Sequence, residues 1–195
     1  MGTDQIRKIR KKMEKTLDPK RYEHTLGVAY TASALAMRYQ EDMNKALVAG
    51  LLHDCAKCMD NEKKLHICQK HHIPVTDIEK KNPYLLHAKV GRHVAKKQFH
   101  IHDKDILNAI LNHTTGRPGM SPLEKIVFIA DYIEPGRKQA PNLALVRTLA
   151  FQDLDEALLA ILRDTLEYLQ RIDNQDPMTQ NTYNYYSAQD RMAGS

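Results

Sequence analysis

Apolar side chains recur every three or four residues along most of the chain, which is the spacing of an α-helix with one buried face. Proline and capping residues bound these stretches, as in Asp18-Pro19 and in Ser121-Pro122-Leu123-Glu124, a capping box with proline at the first helical position. The pattern predicts helices over about residues 4–17, 20–39, 44–53, 61–72, 84–98 and 153–172, with further helices opening after Asp103 and Ser121 and a short element near 75–81. We find no convincing strand. The sequence therefore predicts one compact all-α domain over 1–195, with a core of about 20–172 and a polar C-terminal tail, 173–195.

Several apolar stripes contain a histidine or an aspartate. In the second helix, His24 shares a face with Val28 and Leu35. The third helix places His53 on a face of small residues, so another helix can approach it closely. Those small residues are Ala46, Ala49 and Gly50. Each of these two histidines is thus expected to face the core.

The adjacent pair His53-Asp54 constrains the local backbone. Successive residues on a regular helix are turned about 100° apart, so both side chains can reach one ion only where the helix ends or is distorted. An ion there needs further ligands from other helices. The helix that opens at Ser121 supplies Asp131 on its apolar stripe, and His87 and His113 lie on the stripes of their own helices.

A single histidine on an apolar face is usually a core residue with its hydrogen bonds satisfied. Six such positions together change that balance, because aspartate is almost never fully buried unless it is paired or bound to a metal. We predict a metal centre between helices, with ligands drawn from His24, His53, Asp54 and Asp131. His87 and His113 either hold a second ion or donate hydrogen bonds to phosphate. Imidazole and carboxylate without thiolate favour iron, manganese, cobalt or zinc in a catalytic site.

The net charge of the chain gives little information about its binding partners. The chain has 29 Lys+Arg against 24 Asp+Glu, a net charge of +5, and part of the excess lies in the first helix. A solvated helix face explains that cluster, and nucleic-acid binding has no aromatic residues or known reading module to support it. A basic balance also suits a polyanionic nucleotide. The longest apolar runs are too short to span a membrane, and no secretory signal is recognisable, so we expect a cytoplasmic protein that binds neither membrane nor specific nucleic acid.

The three cysteines invite a different metal or redox interpretation. Cys55 and Cys58 form a CxxC pair, but no second pair and no βαβ context accompany it. Cys68 with the nearby histidines 66, 71 and 72 could complete a site in principle, although packing cysteines at a polar helix end are the commoner arrangement. An odd number of cysteines also argues against a disulfide framework and fits a reducing compartment.

Four segments carry a family resemblance that covers nearly the whole chain. The order His…His-Asp…Asp on an all-helical chain resembles the HD-domain superfamily of metal-dependent phosphohydrolases. More specifically, the chain is similar to the bacterial YqeK family. The segments that carry this likeness are RYEHTLGV at 21–28, HTTGRPGM at 113–120, ADYIEPGR at 130–137 and TYN at 182–184.

The resemblance implies symmetrical hydrolysis of dinucleoside tetraphosphates, above all diadenosine tetraphosphate, to two nucleoside diphosphates. It implies one metal ion or two, typically iron with manganese or cobalt as alternatives, and a homodimer. The metal ligands it assigns are His24, His53, Asp54 and Asp131, and Asp54 and Lys57 are the candidate catalytic residues. Carried over to this sequence, the phosphate contacts are Arg21, Lys57, His87, His113, Thr114 and Arg137. Tyr183 is the candidate for stacking on a base.

The chemistry is coherent without the family name. Hydrolysis of a phosphoanhydride needs an activated water and charge neutralisation on the polyphosphate. Lys57, one turn after His53-Asp54, is placed to meet a phosphoryl oxygen, and the guanidinium of Arg137 or Arg117 matches phosphate in a bidentate way. A surface ion pair is the alternative for either arginine.

Two other functions stay open at this point. One is a different HD-type activity, such as a nucleotidase or a phosphodiesterase. The other is a non-catalytic nucleotide sensor or RNA-associated adaptor. An intact ligand set argues against a pure binder, which has no need of an open metal site.

Overall fold

The computed structural model describes residues 2–171 and 176–193, and within these ranges it contains helices and no strand. The all-α prediction is confirmed. The helices are α1 Thr3–Thr16, α2 Pro19–Arg38, α3 Met43–Leu52, α4 Asn61–Lys70, α5 Asp77–Lys81, α6 His87–Gln98, α7 Lys104–Asn112, α8 Pro122–Ile133, α9 Leu143–Leu149, α10 Leu154–Arg171 and α11 Pro177–Ala193, with a 3-10 turn at Pro83–Leu86 before α6. None of the helices in the described ranges has the length and hydropathy to cross a membrane.

Four helices form the centre of the molecule. Helix α2 packs on α3 and α8, α7 packs on α3 and α8, and α3 also contacts α8, so that the four surround one core. Fully buried aliphatic residues from each of them fill it, among them Val28, Leu52, Ile110 and Ile126. Helices α6 and α10 pack outside α7 and α8, and α11 covers α10. The predicted metal ligands are carried by helices of this central group or by the residues that end them.

Helices α2 and α3 approach each other closely in this core. A Cβ added at Gly50 would lie 2.6 Å from the Cα of Ala29 and 3.0 Å from its backbone nitrogen. Only glycine fits here, because real Cβ atoms do not come that close to another backbone. The small residues before His53 therefore let the two helices meet where their histidines lie.

The capping signals in the sequence are confirmed. The carboxylate of Asp18 accepts a hydrogen bond from the Arg21 N–H at the start of α2, and Asp103 accepts from the second and third residues of α7. Ser121 and Glu124 form the reciprocal capping box that opens α8. These caps fix where the helices that carry the site begin.

Two helices are missing from the sequence prediction. Helix α9 has seven residues, and it starts from Asn142, which adopts a left-handed conformation with φ 52°. We predicted a polar tail over 173–195, and the structure corrects this prediction because helix α11 lies in that segment. Its buried positions are Thr179, Thr182 and Tyr186, so its inner face carries no aliphatic stripe. The helix predicted over 153–172 ends, and the predicted tail begins, within residues 172–175, which lie outside the described residues.

Candidate metal centre

The four predicted ligands converge between α2, α8 and the end of α3. His24 Nε2 lies 3.0 Å from Asp131 Oδ1, and His53 Nε2 lies 3.9 Å from the same oxygen. Asp54 Oδ2 is 3.5 Å from His53 Nε2. Two groups of three donor atoms could each hold a metal ion, since the atoms in each group lie within 4.8 Å of one another. The groups are His24-His53-Asp131 and His53-Asp54-His113.

The backbone explains how His53 and Asp54 can serve one site. Helix α3 ends at Leu52, and the next residues form successive turns with Cys55 N–H donating to the Leu52 oxygen and Lys57 N–H to the Asp54 oxygen. These bonds reach back three residues instead of four. The backbone at His53-Asp54 therefore leaves the regular helix, as adjacent ligands require.

The ring hydrogen bonds set the tautomers of three histidines. In His53, His87 and His113, Nδ1 lies 2.7, 2.8 and 2.7 Å from the carbonyl oxygen three residues earlier in the chain. A carbonyl oxygen only accepts, so Nδ1 carries the proton in each ring. In all three rings Nε2 is therefore the nitrogen that faces the centre of the site and could bind a metal.

His87 and His113 meet on the other oxygen of Asp54. Their Nε2 atoms lie 3.3 and 3.5 Å from Asp54 Oδ1 and 3.3 Å from each other. Two ring nitrogens this close to each other are held together only where a proton or a cation lies near both. Lys57 supplies part of that charge, since its Nζ is 3.3 Å from His87 Nε2.

Unpaired buried atoms test whether a metal fits this site. His24 Nε2, His53 Nε2 and Asp54 Oδ1 are buried, and their short contacts to charged atoms of the cluster lack the geometry of a hydrogen bond. A buried polar atom without a partner costs about 1–3 kcal/mol, and three in one place are not expected in a core that needs only to pack. Cations held by the two donor groups would satisfy these atoms, His24 in one group, Asp54 in the other and His53 in both, so the residues fit a metal centre.

The electrostatic environment favours the metal-binding forms of Asp54, Asp131 and His87. Burial alone raises the pKa of Asp54, but the adjacent imidazoles of His53 and His113 outweigh burial and hold it well below its usual range. The pKa of Asp131 is lowered in the same way, with His24 as the main opposing influence to burial. Burial, with help from Lys57, lowers the pKa of His87 to about 3. The carboxylates are therefore ionised and His87 is neutral at pH 7.

Two predicted phosphate contacts border the same centre. Arg21 Nη1 lies 2.9 Å from Asp54 Oδ2. Arg137 donates from Nη2 to Asp131 Oδ1 at 3.0 Å and to the Asp131 backbone oxygen at 2.8 Å. With Lys57, they place three positive charges around two ligand carboxylates.

Arg117 lies in a different place. Its guanidinium makes two bonds to Glu124, at 2.8 and 2.6 Å, and Glu124 is 1 % exposed. The sequence left open whether this arginine meets phosphate or forms an ion pair, and the structure shows the ion pair. Arg117 thereby ties the loop after α7 to the start of α8.

A cleft of about 910 Å³ opens beside the metal cluster. Its lining includes His113, Thr114, Asp131 and Arg137, and residues of α8, of the loop at 139–141 and of α10 complete it. The Thr114 hydroxyl is buried without a hydrogen-bond partner. Tyr183, the predicted base-stacking residue, is not among the residues that line this cleft and packs half-buried against the core from α11.

Sequence reasoning missed Glu134. We interpreted it only as part of the stop after α8, yet it is 4 % exposed and its Oε1 lies 3.2 Å from His24 Nδ1. A signal was present, because an acidic residue three positions after Asp131 continues the ligand-bearing face by about one helical turn.

The cysteines take no part in a described metal cluster. All three are free, and Cys55 and Cys68 are buried. Burial raises the pKa of Cys55 to about 12, so its thiol is protonated and unreactive at neutral pH. Among residues 2–171 and 176–193, no group of three ligands includes a cysteine or the histidines near Cys68.

An all-α bundle with paired histidine and aspartate ligands at its centre defines the class, and comparison with known proteins identifies the family. The chain belongs to the HD-domain family, whose model matches residues 21–136. It is 41% identical to the symmetrical bis(5'-nucleosyl)-tetraphosphatase of Bacillus subtilis over 89% of this chain and 92% of that protein. A protein of the same name from Halalkalibacterium halodurans is 46% identical over 84% of this chain and 87% of its own length.

A solved structure gives the same result. The crystal structure of a "predicted HD superfamily hydrolase involved in NAD metabolism" from Clostridium acetobutylicum has a TM-score of 0.89 with this chain at 44% identity. The match covers 93% of this chain and 96% of that one. The resemblance seen in the sequence segments is therefore confirmed at the level of the family and the fold.

Proposed function

We propose that this chain is a metal-dependent hydrolase that cleaves dinucleoside tetraphosphates symmetrically, with diadenosine tetraphosphate as the principal substrate. The observation that carries the proposal is the cluster of buried histidine and aspartate atoms, with Arg21 and Lys57 beside it and with Arg137 in the lining of the adjacent cleft. The relatives that bear the name of this activity match along most of the chain. The net reaction adds one water to the tetraphosphate and releases two nucleoside diphosphates.

The proposed ligands are His24, His53, Asp54 and Asp131. His113, alone or with His87, is the proposed holder of a second ion, because it shares a donor group with His53 and Asp54. When bound, an ion at this centre supplies Lewis-acid activation of water and of the phosphoryl group. We propose iron as the natural metal, with manganese or cobalt as substitutes, because a mixed imidazole and carboxylate set suits all three.

The basic residues are assigned to the polyphosphate. Lys57 and Arg21 lie on the two sides of the Asp54 carboxylate, and Arg137 extends from Asp131 toward the cleft. Each can exchange a bond with a protein group for one with a phosphoryl oxygen, since a guanidinium or an ammonium has several donors. Lys57 Nζ lies 3.3 Å from His87 Nε2, beside the Asp54 carboxylate, and we assign it to the phosphoryl group that the water attacks. Asp54 is assigned to orient the attacking water as well as to bind metal.

The cleft is assigned to one nucleoside of the substrate. Its volume of about 910 Å³ is in the range of small-molecule sites, and it opens directly onto Thr114 and Arg137. We propose that the unpaired Thr114 hydroxyl donates to the nucleotide at the mouth of this cleft. Stacking of Tyr183 on a base stays a prediction, and its half-buried position on α11 gives it no support.

Assembly and location complete the proposal. We propose a homodimer, which size-exclusion chromatography with light scattering checks directly. We also propose a cytoplasmic location, because the substrate is a nucleotide and all three cysteines are free.

One assay tests the activity. Purified protein is incubated with diadenosine tetraphosphate and ferrous or manganous ion, and the products are separated by ion exchange. Two molecules of ADP per substrate support the proposal, whereas AMP with ATP would establish asymmetric cleavage and refute it. Bound nucleotide without turnover would favour a sensor.

The ligand assignment has its own test. Asp131→Ala removes the oxygen that His24 and His53 share. We expect this variant to lose both retained metal, measured by atomic emission, and turnover. A fully active Asp131→Ala enzyme would remove this residue from the site.

A further inference from the structure

His24 differs from the other three histidines of the cluster in how its ring is held. His53, His87 and His113 lie at the ends or beginnings of helices and bond the carbonyl oxygen three residues earlier. His24 lies inside α2, where the neighbouring carbonyl oxygens are engaged in the helix. Its Nδ1 instead faces a side chain, the Glu134 carboxylate, at 3.2 Å.

The Glu134 carboxylate is fixed on both oxygens. Oε1 accepts from His24 Nδ1, and Oε2 accepts from the Gly136 N–H at 2.5 Å. The backbone is fixed as well, since Arg147 on α9 donates to the carbonyl oxygens of Ile133 and Glu134 at 3.0 and 2.9 Å. A carboxylate held in this way cannot turn away from the imidazole. Because it only accepts, it keeps the proton on Nδ1 and leaves Nε2 free to face Asp131.

Gly27 provides the space for this carboxylate. It lies inside α2, one turn after His24, and a Cβ added there would be 2.6 Å from Glu134 Oε2. A glycine inside a helix weakens that helix relative to alanine, so its presence needs a compensating reason. The reason here is that the smallest possible side chain at position 27 lets a buried carboxylate reach the ring.

We propose that Glu134 is the positioning residue of the metal centre, that it acts through His24, and that Gly27 is the position that admits it. The proposal rests on the metal centre put forward above. The carboxylate orients the imidazole, fixes its tautomer and adds negative charge behind the ligand, which strengthens its bond to a cation. The expected contribution is about 10- to 100-fold in metal affinity, the usual effect of a group that supports a ligating histidine.

Two variants remove this support by different routes. Glu134→Gln keeps the size of the side chain, but an amide cannot accept from both His24 and the Gly136 N–H. Gly27→Ala leaves Glu134 in place and displaces its carboxylate by steric contact. Glu124→Gln is the matched control, because Glu124 is an equally buried carboxylate whose partners lie outside the cluster.

The measurements are Mn²⁺ affinity of the full chain, by competition with a fluorescent chelator, and the visible absorption of the Co²⁺-loaded protein. We expect Kd for Mn²⁺ to rise at least 10-fold in Glu134→Gln and in Gly27→Ala, with a changed Co²⁺ spectrum in both. The double variant should bind Mn²⁺ no more weakly than the single variant with the higher Kd, because both substitutions remove the same interaction. Glu124→Gln should lower the melting temperature and leave Kd within twofold of the wild type.

The outcomes separate this proposal from the proposed function. If wild type binds Mn²⁺ and hydrolyses diadenosine tetraphosphate while both variants bind Mn²⁺ within twofold of it, the role of Glu134 is refuted and the hydrolase stands. A wild type that binds no Mn²⁺ and no Co²⁺ refutes the metal centre and this role together. If Glu134→Gln fails to fold, the Mn²⁺ affinity of Gly27→Ala decides whether Glu134 has this role, since that variant retains every polar group of the site.

Discussion

The contact between α2 and α3 can be tested by adding a single methyl group. In Gly50→Ala the new Cβ would lie 2.6 Å from Ala29 Cα and 3.0 Å from Ala29 N, and both are backbone atoms that cannot turn aside. The helices must separate, and overpacking of this kind costs about 1–3 kcal/mol. Alanine returns about 0.5–1 kcal/mol through its better helix propensity. Because both clashing atoms are backbone, the upper part of the overpacking range applies, and we expect a net loss of about 1–2 kcal/mol in the free energy of unfolding.

That loss corresponds to a melting temperature lower by about 2–8 °C in a domain of this size. It also has a functional consequence, because the Gly50 carbonyl oxygen accepts from His53 Nδ1 at 2.7 Å. Moving α3 away from α2 therefore moves His53 relative to His24. We expect Gly50→Ala to bind Mn²⁺ more weakly as well as to unfold earlier, measured by chelator competition and by urea denaturation.

Gly91→Ala is the matched control. Gly91 is also a buried glycine inside a helix, but a Cβ there would be no closer than 3.5 Å to any neighbour, which is ordinary van der Waals contact. We expect this variant to be as stable as wild type or more stable by up to about 1 kcal/mol. If both variants unfold at the wild-type urea concentration, the close approach of α2 and α3 does not limit the fold and the reasoning fails.

Three further predictions concern the loop that ends at α8 and the pH dependence of its ion pair. Arg117→Ala leaves the buried Glu124 carboxylate without its two guanidinium bonds, and we expect a loss of about 1.5–3 kcal/mol in urea denaturation at pH 7. Burial raises the pKa of Glu124, but Arg117 and the capping hydrogen bonds outweigh burial, so the pKa is lowered in the folded protein. The ion pair therefore stabilises the fold at pH values above the pKa of Glu124 in the unfolded chain. This stabilisation disappears as the pH falls through the pKa in the folded protein. The loss of stability in Arg117→Ala should therefore become smaller below about pH 4. A loss that does not depend on pH would contradict the ion pair as its cause. Tyr186→Phe removes the acceptor of the buried Met120 N–H, 2.8 Å away, and should cost about 1–3 kcal/mol, whereas an unchanged melting temperature would mean that water replaces the hydroxyl.

The candidate ligands could be selected from the sequence because each lies on, or directly follows, a stripe that a helix must bury. His24 and Asp131 each follow the spacing of the apolar residues around them, and His53-Asp54 ends a face of small residues. Burial of such polar groups needs a partner, and the cheapest common partner is a cation. The structure brings together the residues that this reasoning selected.

The remaining parts depend on contacts between segments far apart in the chain. The role of Glu134 requires the space above Gly27, and no periodicity relates these two positions. Helix α11 escaped prediction because it buries threonine and tyrosine against α10 and the loop at 116–120, where a Cβ on Gly116 would lie 2.8 Å from Thr182. Arg117 could not be assigned either, since an ion pair with a capping glutamate and a phosphate contact demand the same residue type.

The placement of the proposed ligands at positions 24, 53, 54 and 131 would have a thermodynamic consequence for the whole chain. An ion bound to all of them ties together segments that an unfolded chain would hold far apart, so it acts on folding as a reversible crosslink. Free metal at 100 times its dissociation constant would add about 2.7 kcal/mol to the free energy of unfolding by mass action. The supply of metal would then govern how long each copy of the protein survives, in addition to how fast it works.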